Sequence, residues 1–88
     1  INTARGGIVN EADLVAALRA GEIGGAGMDV LTVEPPRESN PLLAADIPNL
    51  IVTPHSAWGS RNARQRIADQ TTENINAWKQ GEAIRVVV

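Results

Sequence analysis

The chain has 88 residues, a formal net charge of −2 and a sequence pI near 5.2, so its charge does not favour nucleic acid or an acidic membrane surface as a partner. It contains no cysteine, which excludes disulfides and thiolate chemistry, and no apolar run approaches the roughly 20 residues of a membrane-spanning helix. We expect no metal site, and the cysteine count is compatible with a cytoplasmic protein.

The first half of the chain predicts a strand end, a helix and a buried strand, in that order. Ile1-Asn2 resembles the end of a strand, and a helix follows with Asn10 as its N-cap and Gly21 as its stop. The apolar, glycine-rich run 23–31 is typical of a strand covered on both faces.

The second half repeats this alternation. Pro41 is expected to open a short helical turn, and the run 49–54 predicts a second buried strand. Ser60 is expected to cap a helix over 61–80, and residues 83–88 form a last strand-like run. Strands that alternate with helices indicate an α/β fold with parallel strands and right-handed crossovers.

Four chemically active side chains follow predicted strand ends. Arg5 comes after the first strand end, Asp29 and Glu34 after the second strand, and His55 after the third. Ligands bind at the carboxyl edge of parallel sheets, so these residues are predicted to share one crevice. Singly, each has an ordinary explanation: His55 as a structural residue, Glu34 as a loop acid, Asp29 as a cap, and Arg5 as a donor to a nearby carbonyl.

Together these residue types suit one kind of chemistry. An arginine fork grips a carboxylate, and a histidine transfers a proton near neutral pH while a carboxylate on its other ring nitrogen aligns it. Such a set could interconvert a 2-keto acid and a 2-hydroxy acid, but no side chain supplies a hydride. A nicotinamide cofactor would therefore be required.

Three ordered blocks carry a resemblance to a known family: "NTARGGIVNEADLVAALRAGEIGGAGMDVLTVEPP", "NPLL" and "PNLIVTPHSAWGS". The chain resembles the C-terminal part of the NAD-binding domain of D-isomer-specific 2-hydroxyacid dehydrogenases, most closely the bacterial glycerate dehydrogenase or hydroxypyruvate reductase branch. This implies part of a Rossmann-like, doubly wound parallel sheet, from a larger two-domain protein. It also implies a small 2-keto or 2-hydroxy acid substrate, NAD or NADP as cofactor, and a homodimer without nucleic-acid or membrane partners.

The resemblance also implies roles for individual residues. Arg5 would orient the substrate, His55 would be the general acid/base and Glu34 would pair with it. Trp58 would lie near the substrate pocket. The residues expected to contact the cofactor are Thr3, Ala4, Arg5, Asp29, His55 and Gly59.

By the same resemblance, residues 1–80 would end the NAD-binding domain with a long return helix, and residues 81–88 would begin the return to the substrate-binding domain. The glycine-rich dinucleotide loop of the family is absent, so NAD and NADP stay undistinguished and the 88-residue piece is expected to be inactive alone. Three alternatives remain: a family member acting on another acid, a dinucleotide-sensing scaffold like the family's corepressor relatives, and a βα fragment with an unrelated role. Formate dehydrogenases share the fold but usually carry an amide at the position of Glu34, so the sequence does not favour that activity.

Overall fold

The computed structural model describes residues 1–87, which form two compact units. The first unit is Ile1–Ala57 and the second begins at Trp58. The first unit carries both strands and one α-helix, and the second is built on one long helix. Within residues 1–87, no helix is both long and apolar enough to cross a membrane.

The first unit is organised by a small parallel sheet. Strand β1 (Ala26–Met28) pairs in parallel with β2 (Leu50–Val52), with Gly27 opposite Ile51. On the other side of β1, Asn2 forms a parallel bridge with Met28. Strand β1 therefore lies between two parallel neighbours, and the carboxyl ends of all three segments meet at one edge. The predicted α/β architecture with parallel strands is confirmed.

Helix α1 (Glu11–Arg19) connects the first strand segment to β1 and supplies the cover for the sheet. The side chain of Asn10 accepts hydrogen bonds from the backbone N–H of Ala12 and Asp13, which confirms it as the N-cap. On the buried face of α1, Val15 packs in a hydrophobic core with Met28 and Leu42. Leu42 lies in the short 3₁₀ turn Pro41–Leu43, at the position predicted for a helical turn.

The prediction that the run 49–54 is a buried strand is wrong for one face of β2. Leu50 and Val52 pack against the core, whereas Ile51 is 69% exposed. Successive side chains of a strand point to opposite faces, and the core of the first unit lies on only one of them. An apolar run indicates that a strand can be buried, but it does not show whether other residues pack against both of its faces.

The second unit contains helix α2 (Arg61–Lys79), which Ser60 caps by accepting a hydrogen bond from the N–H of Ala63. The strand predicted over 83–88 does not form in residues 83–87, and Val88 lies outside the described residues. Arg85 has a φ of 52°, which interrupts an extended backbone, and its guanidinium bonds to Glu73 and Asn74. Residues 83–87 pair with no strand, and the contacts of Arg85 hold this segment to α2 instead.

Candidate active site

The first segment of the site is a turn folded by Asn2, which is 7% exposed. Its side-chain oxygen accepts from the N–H of Ala4 at 3.1 Å, and its Nδ2 donates to the carbonyl of Arg5 at 3.0 Å. These two bonds hold residues 3–5 in a tight turn that exposes their side chains at the carboxyl edge. The Arg5 guanidinium donates no hydrogen bond within residues 1–87, so its donors are available to a carboxylate ligand.

The second segment is Asp29, which follows β1 directly and is only 4% exposed. Its Oδ1 accepts from the Thr53 hydroxyl and from the N–H of Ser56, and its Oδ2 accepts from the N–H of Ala57 at 2.8 Å. The Thr53 bond, then the backbone bonds, lower the pKa of Asp29 below its ordinary 3.8 despite the opposing effect of burial. The ionised carboxylate thus closes the turn that follows β2.

The turn closed by Asp29 carries His55 in an unusual backbone conformation. His55 has a φ of 53°, and its N–H donates to the carbonyl of Thr53 at 3.0 Å. A left-handed backbone costs a non-glycine residue roughly 1–2 kcal/mol. The hydrogen bonds that Asp29 accepts from the next two residues hold the chain there, so the position of the imidazole depends on that buried acid.

Glu34 completes the site by joining two segments of the first unit. Its Oε2 lies 2.6 Å from Nδ1 of His55, and its Oε1 accepts from the N–H of Leu31 at 2.8 Å. The Leu31 bond and then the His55 bond lower the pKa of Glu34 below its ordinary 4.5, against desolvation, with a smaller contribution from the charge of Arg5. Glu34 is therefore an anion at neutral pH, placed to stabilise a protonated imidazole.

The structure brings the four predicted edge residues into one unit. Two turns meet through the Glu34–His55 pair, and Arg5 is close enough for its charge to act on Glu34. A concavity of about 940 Å³ lies elsewhere in this unit, between segments 7–12 and 32–41, and these four residues do not line it. Within residues 1–87, no group of three or more His, Cys, Asp or Glu is placed to hold a metal ion.

The sequence of the chain matches the model of a known protein family. Residues 1–57 match the model of the D-isomer specific 2-hydroxyacid dehydrogenase NAD binding domain. The chain belongs to this family. The match covers the whole of the first unit, including the Glu34–His55 pair.

Individual relatives and solved structures extend the likeness along almost the whole chain. A glycerate dehydrogenase of Methylorubrum extorquens is 56% identical over 87 residues, covering 99% of this chain and 28% of the relative. A solved D-isomer specific 2-hydroxyacid dehydrogenase from Xanthobacter autotrophicus Py2, in complex with NADPH and MES, is 44% identical with a TM-score of 0.62, covering 96% of this chain and 33% of that one. An acyclic imino acid reductase in complex with NADPH and D-Arg is 33% identical with a TM-score of 0.70, covering 99% and 27%. The chain thus spans about a quarter to a third of their length.

The 2-hydroxyacid dehydrogenase family binds a nicotinamide dinucleotide, and the residues at this edge fit one end of it. Residues 3–5 are exposed in a fixed turn, and the two Asp29 oxygens accept three hydrogen bonds. A carboxylate has about four acceptor sites, so one acceptor site of Asp29 remains for a donor such as a carboxamide N–H. Gly59 and Trp58 belong to the second unit, and their predicted contacts stay predictions.

Several residues that shape the site were not anticipated in the sequence analysis. Asn2 and Thr53 lie at the ends of predicted strands, and Glu11 is an acid in the first turn of α1, a position that by itself indicates only a favourable interaction with the helix dipole. Glu11 instead bonds across to the turn that carries Glu34. A sequence signal was available only for Asn2, because asparagine commonly folds the turn it begins. The other two act on residues more than 20 positions away.

Proposed function

We propose that the full-length protein is an NAD(P)-dependent D-2-hydroxyacid dehydrogenase that interconverts a small 2-keto acid and its 2-hydroxy acid, with hydroxypyruvate/glycerate or glyoxylate as the pair. The Glu34–His55 contact of 2.6 Å, at the carboxyl edge that also presents Arg5, carries this proposal. The 56% identity to a glycerate dehydrogenase supports the choice of substrate.

The proposed roles follow from the chemistry of the three side chains. Arg5 holds the substrate carboxylate through paired N–H donors and polarises the adjacent carbonyl. His55 gives its proton to the carbonyl oxygen during reduction and takes it back during oxidation. Glu34 stabilises the protonated ring by its negative charge and fixes its orientation through Nδ1. The bound dinucleotide supplies or accepts the hydride.

The remaining assignments belong to the same proposal. Thr3, Ala4, Asp29 and Gly59 contact the nicotinamide end of the cofactor, together with Arg5 and His55. Residues 1–80 complete the dinucleotide-binding domain, and 81–88 lead into the substrate-binding domain. The protein is a cytoplasmic homodimer.

Oxidation of NADH and of NADPH by the full-length protein tests the proposal, with hydroxypyruvate, glyoxylate, pyruvate and a bulky 2-keto acid compared at equal concentration. We expect the highest kcat/KM on hydroxypyruvate or glyoxylate. A preference for the bulky acid would overturn the substrate assignment but keep the reaction. Tight dinucleotide binding without turnover on any acid would instead favour a dinucleotide-sensing scaffold.

Reduction of an imine is a second candidate, because the likeness to the acyclic imino acid reductase has a TM-score of 0.70. The same assay separates the two reactions when each 2-keto acid is tested with and without an added primary amine. Turnover that requires the amine would identify an imine as the substrate. Turnover that is equal in both conditions supports the 2-keto acid.

A further inference from the structure

We propose that Glu11 is a positioning residue for the Glu34–His55 pair. Glu11 is the first residue of α1 and is partly buried. Its Oε1 accepts from the N–H of Thr32 at 2.8 Å, and its Oε2 accepts from Nδ2 of Asn40 at 3.0 Å. One carboxylate thus holds the 32–40 loop near both of its ends, and Glu34 projects from that loop.

The bond to Thr32 is the part that bears on Glu34. Consecutive N–H groups of one turn have two different acceptors: that of Leu31 donates to Glu34 itself, and that of Thr32 donates to Glu11. A shift of this turn would move both the N–H that Glu34 accepts and the backbone from which Glu34 extends. Glu11 therefore fixes the turn against a rigid helix end.

The site then has one structural carboxylate for each partner of the pair. Asp29 holds the turn that carries His55, and Glu11 holds the turn that carries Glu34. A hydrogen-bond contact of 2.6 Å between two partly exposed side chains on separate turns requires both backbones to stay in place. Neither acid needs to touch the substrate to influence proton transfer.

Two variants and a matched control separate this role from the general effect of an acid at a helix start. Glu11→Gln retains one acceptor but presents N–H donors where Asn40 also presents one. Glu11→Asp keeps the charge but is one methylene shorter, so it cannot span both donors. Asp13→Asn removes an equal charge from the same helical turn, and the Asp13 carboxylate makes no hydrogen bond within residues 1–87.

The first readout is the steady-state kinetics of hydroxypyruvate reduction by the full-length protein: kcat, and the pH dependence of kcat/KM. This readout rests on the proposed function. We expect Glu11→Gln and Glu11→Asp to lower kcat about tenfold, well below the 10²–10⁴-fold effect of losing a general acid. In both, reduction should fall off at a lower pH than in the wild type, as in Glu34→Gln. Asp13→Asn should match the wild type, and adding Glu11→Gln to Glu34→Gln should change the profile no further.

The second readout does not need activity. A ¹³C NMR titration of the Glu34 carboxyl group should show its pKa rising toward the ordinary 4.5 in both Glu11 variants but not in Asp13→Asn. The groups that act on Glu34 there are the Leu31 N–H, His55 and Arg5. Equal effects of Glu11→Gln and Asp13→Asn on both readouts would overturn the positioning role. Wild-type inactivity would refute the proposed function alone, because the titration would still decide the role of Glu11.

Discussion

Gly6 is the position where the fold leaves least room beside the site, and Gly6→Ala is the sharpest structural perturbation. A Cβ at this position would lie 1.9 Å from the carbonyl oxygen of Leu31 and 2.7 Å from the nitrogen of Thr32. Real Cβ atoms essentially never approach another atom within 3.0 Å. Because the obstructing atoms are backbone, no rotamer change relieves the overlap, and one of the two segments must move by more than 1 Å.

One of these two segments is the turn that positions Glu34, and the other carries Arg5, so a shift of either should reduce both stability and turnover in Gly6→Ala. Overpacking costs about 1–3 kcal/mol, and each kcal/mol lowers the Tm of a domain by about 2–8 °C, with the larger shift in the smaller domain. A misplacement of about 1 Å in a catalytic group can cost about 10²-fold in rate. Thermal unfolding and steady-state kinetics of the full-length protein measure the two effects.

Gly24→Ala is the matched control, because a Cβ at Gly24 meets no atom within 4 Å and the backbone there does not have a positive φ. We expect this variant to stay within about 0.5 kcal/mol of the wild type and to keep full turnover. A Gly6→Ala protein with the Tm and kcat of Gly24→Ala would refute the close approach of Gly6 to the Leu31–Thr32 backbone.

Two further predictions concern the acids of the site. Glu34→Gln removes the charge that stabilises the protonated imidazole of His55, so the pH above which reduction fails should move down. An unchanged profile of kcat/KM against pH would contradict the pairing. Because folding lowers the pKa of Asp29, the ionised carboxylate stabilises the fold above pH 3.8, the ordinary pKa of the group. This stabilisation is lost as the pH falls through the pKa of Asp29 in the folded protein. Asp29→Asn should therefore be less stable than the wild type at neutral pH, and its Tm should fall by less between about pH 5 and pH 3. Thermal unfolding at each pH measures both effects. Parallel curves of Tm against pH would contradict the role of Asp29.

The helix starts and the shared edge of the sheet could be predicted from the sequence, because both follow from local rules. Asn10 and Ser60 are small polar residues just before a helical pattern, and the structure confirms both as N-caps. The prediction that His55 and Glu34 share one edge of the sheet followed from a single rule, that the carboxyl ends of parallel strands lie on the same side. The strands themselves are shorter than predicted, with three residues each.

The contacts that hold the site in place could not be predicted, because they depend on the path of turns between elements. The hydrogen bonds that Glu11 accepts from Thr32 and that Asp29 accepts from Ala57 join residues 21 and 28 positions apart. No spacing rule links such pairs. The exposed face of β2 has a related cause: a sequence shows that Ile51 is apolar but does not show what packs against it.

The most direct test of the central claim is the rate of hydroxypyruvate reduction by full-length His55→Ala, measured in a single turnover with dinucleotide already bound. With the dinucleotide at saturating concentration, the proposed role of His55 as proton donor predicts that the rate falls by about 10²–10⁴-fold, the contribution typical of a positioned general acid. Reduction at the wild-type rate in His55→Ala would show that the proton comes from another group and would contradict the account.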